Sequence, residues 1–116
     1  MDEEKWRQAK MLVRERDGNQ CLRCFGPADE VHHRAVRGMG GSGDDEVNYG
    51  PANLICLCRG CHDHVHSHPG ESYENGFLVQ WWNHPERTPL IVRPGLHYVM
   101  LTKQGDAKVT HLVLPF

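Results

Sequence analysis

NLICLCRGCHDHVHSH, residues 53–68, is the stretch that decides the fold. Its first part, NLICLC at 53–58, is a short apolar run of the kind that forms a buried strand. The second part, CRGCHDHVHSH at 58–68, reads as a helix, which Pro69-Gly70 is expected to end. Upstream, EVHHRAV at 30–36 reads as another short strand. Between them lies RGMGGSGDDEVNYGP at 37–51, which has five glycines and no periodicity and so reads as a loop. The order is strand, loop, strand, helix.

Two cysteine pairs frame this unit. Cys21-x-x-Cys24 precedes the first strand and Cys58-x-x-Cys61 begins the helix. Such knuckles can present their thiolates to one tetrahedral ion at about 2.3 Å. Four thiolates close the coordination shell, so the expected role is structural, with zinc as the ion. The competing reading is buried free thiols or disulfides, and the paired spacing in a reducing compartment favours the metal. Cys56 falls within the second strand and reads as a small buried side chain.

Histidines are the unusual feature of the composition, nine in all. His62 and His66 are four apart, so a helix brings them to one face about a turn apart, where two imidazoles can chelate one divalent ion. A third ligand has to come from elsewhere, and His32 and His33 are the candidates. Adjacent strand residues point to opposite faces, so in a regular strand only one of the two can bind the ion. The other is then free to act as a base toward water near neutral pH. Such a base needs its tautomer fixed by a hydrogen bond, and Asn53 at the start of the second strand suits that task. His64 and His68, also four apart, form a rival pair on another face.

The ordered set Glu30-Val31-His32-His33, Gly-rich loop, Asn53-Leu54, Cys58-x-x-Cys61-His62 and His66 resembles the HNH endonucleases. Its histidine pattern is similar to that of the colicin-type DNases, and its cysteine pairs to those of many phage and bacterial HNH proteins. The resemblance covers roughly residues 21–68. It implies an α+β fold with a ββα-metal (HNH, His-Me finger) core braced by the four-cysteine zinc site at Cys21, Cys24, Cys58 and Cys61. It further implies His32, His62 and His66 as ligands of a catalytic divalent ion, His33 as general base, Asn53 orienting His33 and bracing the loop, and Glu30 supporting the site. The activity implied is hydrolysis of DNA phosphodiester bonds to 5′-phosphate and 3′-hydroxyl ends. Mg²⁺ or Mn²⁺ is the expected ion, although three imidazoles would hold Ni²⁺ or Zn²⁺ more tightly. GFLVQWW, from Gly76 to Trp82, resembles the tail of small HNH proteins of actinobacterial phages, which points to phage DNA-packaging (terminase) proteins as partners beside DNA itself. The alternative function is a non-catalytic, zinc-stabilised module that binds DNA or protein.

Around this core, residues 3–16 read as an amphipathic helix with Trp6, Ala9, Leu12 and Val13 on its apolar side, stopped by Asp17-Gly18-Asn19 with Gly18 as left-handed cap. Glu71–Asn75 reads as a helical turn closed by Gly76. FLVQWW at 77–82 reads as a strand in which one of Trp81 and Trp82 is buried and the other partly exposed. LHYVMLT at 96–102 and AKVTHLVL at 107–114 read as a C-terminal β-hairpin. The length of 116 residues suits one domain: a helix to residue 20, the metal-braced core over 21–70, and a β-rich extension over 71–116.

Charge adds little to the case for DNA. The formal net charge is −2, with arginine and lysine scattered among acids, whereas phosphate-binding proteins usually carry a basic stripe. Arg34, Arg37 and Arg59 flank the metal unit and are the candidate phosphate contacts, with Lys10 and Arg14 further off. No apolar run reaches the roughly 20 residues that span a bilayer, and MDEEKWRQAK lacks the apolar core of a signal peptide. The expectation is a cytoplasmic protein with no membrane partner.

Overall fold

Residues 2–35, 44–92 and 97–111 are described in the computed structural model. Helix α1 spans Glu3–Asp17. It opens on Asp2, whose side chain accepts the Lys5 N–H, and Glu3 and Glu4 sit where the helix dipole favours acids. It closes at Gly18, which adopts φ 65° as a left-handed cap.

Strand β1 (Glu30–His33) pairs antiparallel with β2 (Leu54–Leu57), setting His32 opposite Ile55 and His33 opposite Leu54. All four residues of β2 are buried because both of its faces are covered. Leu54 and Cys56 pack with Ala9 and Val13 of α1. Ile55 and Leu57 point the other way, into a larger cluster with Val65, Phe77, Leu90, Val99 and Leu101. Beneath this contact Arg16 and Asp17 form a buried ion pair at 2.7 Å. Asp17 accepts the Cys56 N–H, and Arg16 donates to the carbonyls of Pro51 and Leu54, which fixes the end of α1 against β2.

Helix α2 (Asp45–Tyr49) and a 3₁₀ turn at Pro51–Asn53 lead into β2. Helix α3 spans Arg59–Ser67, and α4 spans Pro69–Glu74. A three-stranded antiparallel sheet follows, with β3 (Leu90–Val92), β4 (His97–Leu101) and β5 (Ala107–His111) in the order β3-β4-β5. The chain is thus an α+β fold carrying a cluster of four cysteines.

Several expectations need correction. Pro69-Gly70 does end α3, but it also begins α4, because proline at the first helical position has no N–H to lose. The second half of the glycine-rich loop is not irregular; Asp44 caps α2 there. The first strand stops at His33. Residues 77–82 form no strand: Leu78 and Val79 donate to the carbonyls of Ser72 and Arg34 and join no ladder. Trp81 and Trp82 are both exposed, at 62% and 59%. The C-terminal hairpin has a third strand, β3, which pairs with β4. Residues 36–43, including Arg37, lie outside the described residues, as do 112–114 of the expected last strand. Among the described residues no helix is long and apolar enough to cross a membrane.

Candidate functional site

The four paired cysteines converge. One sulfur from each of Cys21, Cys24, Cys58 and Cys61 lies within 4.8 Å of all the others, and Cys24 Sγ and Cys58 Sγ are 3.7 Å apart. A tetrahedron with metal–sulfur bonds of about 2.3 Å has an edge of about 3.8 Å. A disulfide requires about 2.05 Å, and all five cysteines are free. Backbone N–H groups point at the sulfurs: Cys24 toward Cys21, Gly26 toward Cys24, and Cys61 toward Cys58. Arg23 adds a charged donor to Cys61 Sγ at 3.4 Å. Burial raises the Cys21 thiol, but the surrounding backbone donors outweigh it and bring the group down to about 7. Cys61, by contrast, is pushed up to about 12 by burial. Four such sulfurs cannot all ionise together without a cation among them, and their spacing fits a tetrahedral ion. The cluster can hold a structural metal ion such as zinc.

A second group forms on α3 and β1. His32, His62 and His66 each offer a ring nitrogen, all within 4.8 Å of one another. The Nε2 atoms of His62 and His66 are 3.1 Å apart. Two nitrogens about 2.1 Å from a shared ion lie roughly 3.0–3.4 Å apart for angles of 90–109°. Two of the outer nitrogens have partners behind them. His32 Nε2 is 2.8 Å from the Phe77 carbonyl, which can only accept, so Nε2 carries the proton and Nδ1 is free to ligate. His62 Nδ1 lies 2.6 Å from Glu30 Oε1, leaving Nε2 free. Such outer partners are what orient imidazole ligands toward a metal. Burial drives His32 down to about 3, opposed by the Phe77 carbonyl and aided by the neighbouring histidines, so its ring is neutral at pH 7.

His33 faces the other way. The alternation of β1 sends it toward α1, where its ring stacks on Trp6 with centroids 5.0 Å apart. Its Nε2 donates to the Asn48 carbonyl at 3.0 Å, so Nδ1 keeps its lone pair. Burial lowers its pKa, partly offset by that carbonyl.

Asn53 does not touch His33 through any of its three side-chain hydrogen bonds. Its Oδ1 accepts from Ala35 N–H, and its Nδ2 donates to the carbonyls of Ala35 and Val47. The Asn53 side chain thus ties Ala35 to Val47, and the His33 ring bonds instead to the Asn48 carbonyl, one residue beyond Val47. Arg34 is not placed to contact phosphate either. It is 1% exposed and donates to the carbonyls of Gly76, Ala52, Pro85 and Thr88. Arg59 stands exposed at the start of α3, 3.7 Å from Asp63. His64 and His68 stack face to face at 3.9 Å, with His64 directed at Glu71. They are in neither convergent group of the described residues.

The contributions of Asn48, Phe77 and Trp6 were missed in the sequence. Two act through backbone carbonyls, which carry no sequence signal, and Trp6 reads from its helical spacing as a core residue ahead of a base-stacking platform. No protein-family model matches this chain, and no curated protein or solved structure matches it either.

Proposed function

We propose that this chain is a metal-dependent DNA endonuclease of the HNH type, with β1, β2 and α3 as its ββα-metal unit. The observation that carries the reading is the pairing of two histidine environments on one strand. Three imidazoles converge, with the outer nitrogen of His32 hydrogen-bonded to the Phe77 carbonyl and that of His62 2.6 Å from the Glu30 carboxylate. Beside them a fourth, His33, stands outside the cluster with one nitrogen protonated and the other free.

The donor set fits a divalent ion, with His32, His62 and His66 as ligands. When bound, such an ion supplies Lewis acidity toward a phosphate oxygen and the departing 3′ oxygen. His33 does the proton chemistry. Its Nδ1 takes a proton from water as the water oxygen attacks phosphorus, and the bond to the 3′ oxygen breaks. The 3′ oxygen is protonated from solvent, the 5′ side keeps the phosphate, and the imidazolium then returns its proton to solvent. Burial favours the neutral ring, which is the form that can act. Asn53 holds the backbone of Ala35 and Val47 and so steadies the carbonyl that fixes His33. Of the expected phosphate contacts that lie among the described residues, Arg59 at the start of α3 is exposed and can reach a phosphate. A phage-type role in DNA processing beside packaging proteins is carried by the resemblance of the HNH motif and the 76–82 segment.

The test is cleavage of supercoiled plasmid by zinc-loaded protein in EDTA, Mg²⁺, Mn²⁺ or Ni²⁺, with His62→Ala and His66→Ala alongside. Relaxation or linearisation that requires metal and is lost in both variants supports the reading. Absence of cleavage with every metal, together with retained DNA or protein binding, would make the chain a zinc-stabilised binding module instead.

A further inference from the structure

An imidazole held by one hydrogen bond is not fully oriented. The bond from His33 Nε2 to the Asn48 carbonyl leaves the ring able to swing about that contact, since ring torsions of this kind have broad wells. A second restraint comes from α1. The indole of Trp6 lies nearly parallel to the His33 ring, with planes 17° apart and centroids 5.0 Å apart. Trp6 is in turn fixed. It packs on the cluster of Ala9, Val13, Leu54 and Cys56, and Lys10 Nζ sits over its ring at 5.3 Å.

The two elements that grip His33 are also tied to each other. Tyr49 of α2 meets the backbone N–H of Asp2 through its hydroxyl, and Lys5 of α1 reaches Asp45 of α2 at 3.0 Å. Helix α1 therefore supplies the flat wall, α2 supplies the carbonyl, and contacts between them hold the two in register around one ring.

We propose that Trp6 is a positioning residue for the general base: its indole sets the plane of the His33 ring and so aims Nδ1 at the reacting water. The inference rests on the nuclease reading above. A misplacement of about 1 Å at a reacting group can cost on the order of 100-fold in rate. A wall that removes one swing of the ring therefore acts on kcat, while substrate affinity, to which Trp6 adds no assigned contact, stays nearly constant. A purely space-filling tryptophan would behave differently. Its loss would lower stability but leave the turnover of each folded molecule, and the magnetic environment of His33, unchanged.

The experiment compares full-length, zinc-loaded wild type with Trp6→Leu and Trp6→Phe. Histidine ring signals are followed by NMR, assigned with His33→Ala, and cleavage of a short duplex is followed with Mn²⁺. The expected result is that Trp6→Leu shifts the His33 ring protons as the indole ring current is lost. It also lowers kcat by roughly 10- to 100-fold with KM within about twofold. Trp6→Phe, which keeps a flat aromatic face, recovers most of the rate. Should leucine not support folding, Trp6→Met provides the same comparison without a flat face. Unshifted His33 signals, or kcat within twofold of wild type in the folded leucine or methionine variant, would overturn the proposal. Undiminished cleavage by His33→Ala would overturn it too, by removing the nuclease mechanism beneath it, while the NMR shift would still report whether the stack exists.

Discussion

His32 and His33 are consecutive in β1, yet one packs against His62 and His66 of α3 and the other stacks on Trp6 of α1. The two-residue period of a strand does this by itself. It separates the ring that converges with His62 and His66 from the ring that lies against Trp6 without any loop or insertion between them. Because β2 is covered on both faces, a slip of one residue would reverse both assignments and exchange its two sets of core side chains between clusters that fit different residues.

The same logic makes Glu30 an outer partner, since it shares a face with His32 and reaches His62 Nδ1. Glu30→Gln keeps the shape and removes the charge. Affinity of the histidine site for Ni²⁺ or Mn²⁺, measured by calorimetry on zinc-loaded protein, is expected to fall by roughly 10- to 100-fold. Thermal stability of the same protein without the added ion should not fall, because Glu30 Oε1 is buried without a hydrogen bond and the substitution removes its charge. Unchanged affinity would remove Glu30 from the site.

The cysteine cluster has a separate task. Cys58 caps α3 as well as belonging to the cluster, and Cys61 directly precedes His62. Cys61→Ala should abolish retention of one zinc per chain and, with it, cooperative unfolding, since structural zinc in small domains contributes on the order of 10 kcal/mol. Zinc content and a thermal melt measure this together. A cooperative melt from zinc-free protein would contradict it.

Protonation provides a third test. His33 must be neutral to accept a proton, and burial lowers its pKa from 6.5. The acid limb of kcat/KM should therefore have its midpoint below 6.5, with activity lost as pH falls through it. His32, at about 3 in the folded chain against 6.5 unfolded, has the same sign. Its contribution to stability is present above pH 6.5 and declines as pH falls toward 3. A pH–rate profile with its acid midpoint above 6.5 would count against His33 as the base.

Arg34 illustrates how a side chain can be misread from its neighbours. It follows two site histidines and reads as a phosphate contact, but it ties β1 to the carbonyls of Gly76, Ala52, Pro85 and Thr88. Arg34→Met leaves these acceptors without their charged donor. The expected loss is about 3 kcal/mol or more, a fall in melting temperature of about 10 °C or more. Differential scanning calorimetry checks it; a change under about 2 °C would show that the carbonyls find other donors.

What was legible in the chain was whatever depends on spacing. The α1 pattern with its Gly18 cap, the paired cysteines, His62 and His66 one turn apart, and the β4–β5 hairpin all repeat at fixed intervals. Features that depend on contacts between distant segments were not legible. Phe77 and Val79 alternate into the core with Leu78 between them, which mimics a strand, but the N–H groups of Leu78 and Val79 bond to the carbonyls of Ser72 and Arg34 and to no neighbouring strand. β3 is three residues long and follows Pro89, too short to show a period. The carbonyls of Asn48 and Phe77 orient two histidines and belong to residues whose side chains give no hint of it.

The most direct measurement of the central claim is single-turnover plasmid cleavage by His33→Ala beside wild type, in Mn²⁺, with calorimetry showing that both bind the ion equally. The expected result is that His33→Ala keeps its fold and its metal and loses cleavage by at least about 100-fold, since general-base catalysis contributes on the order of 10² to 10⁴. Cleavage by the folded, metal-loaded variant at the wild-type rate would contradict it.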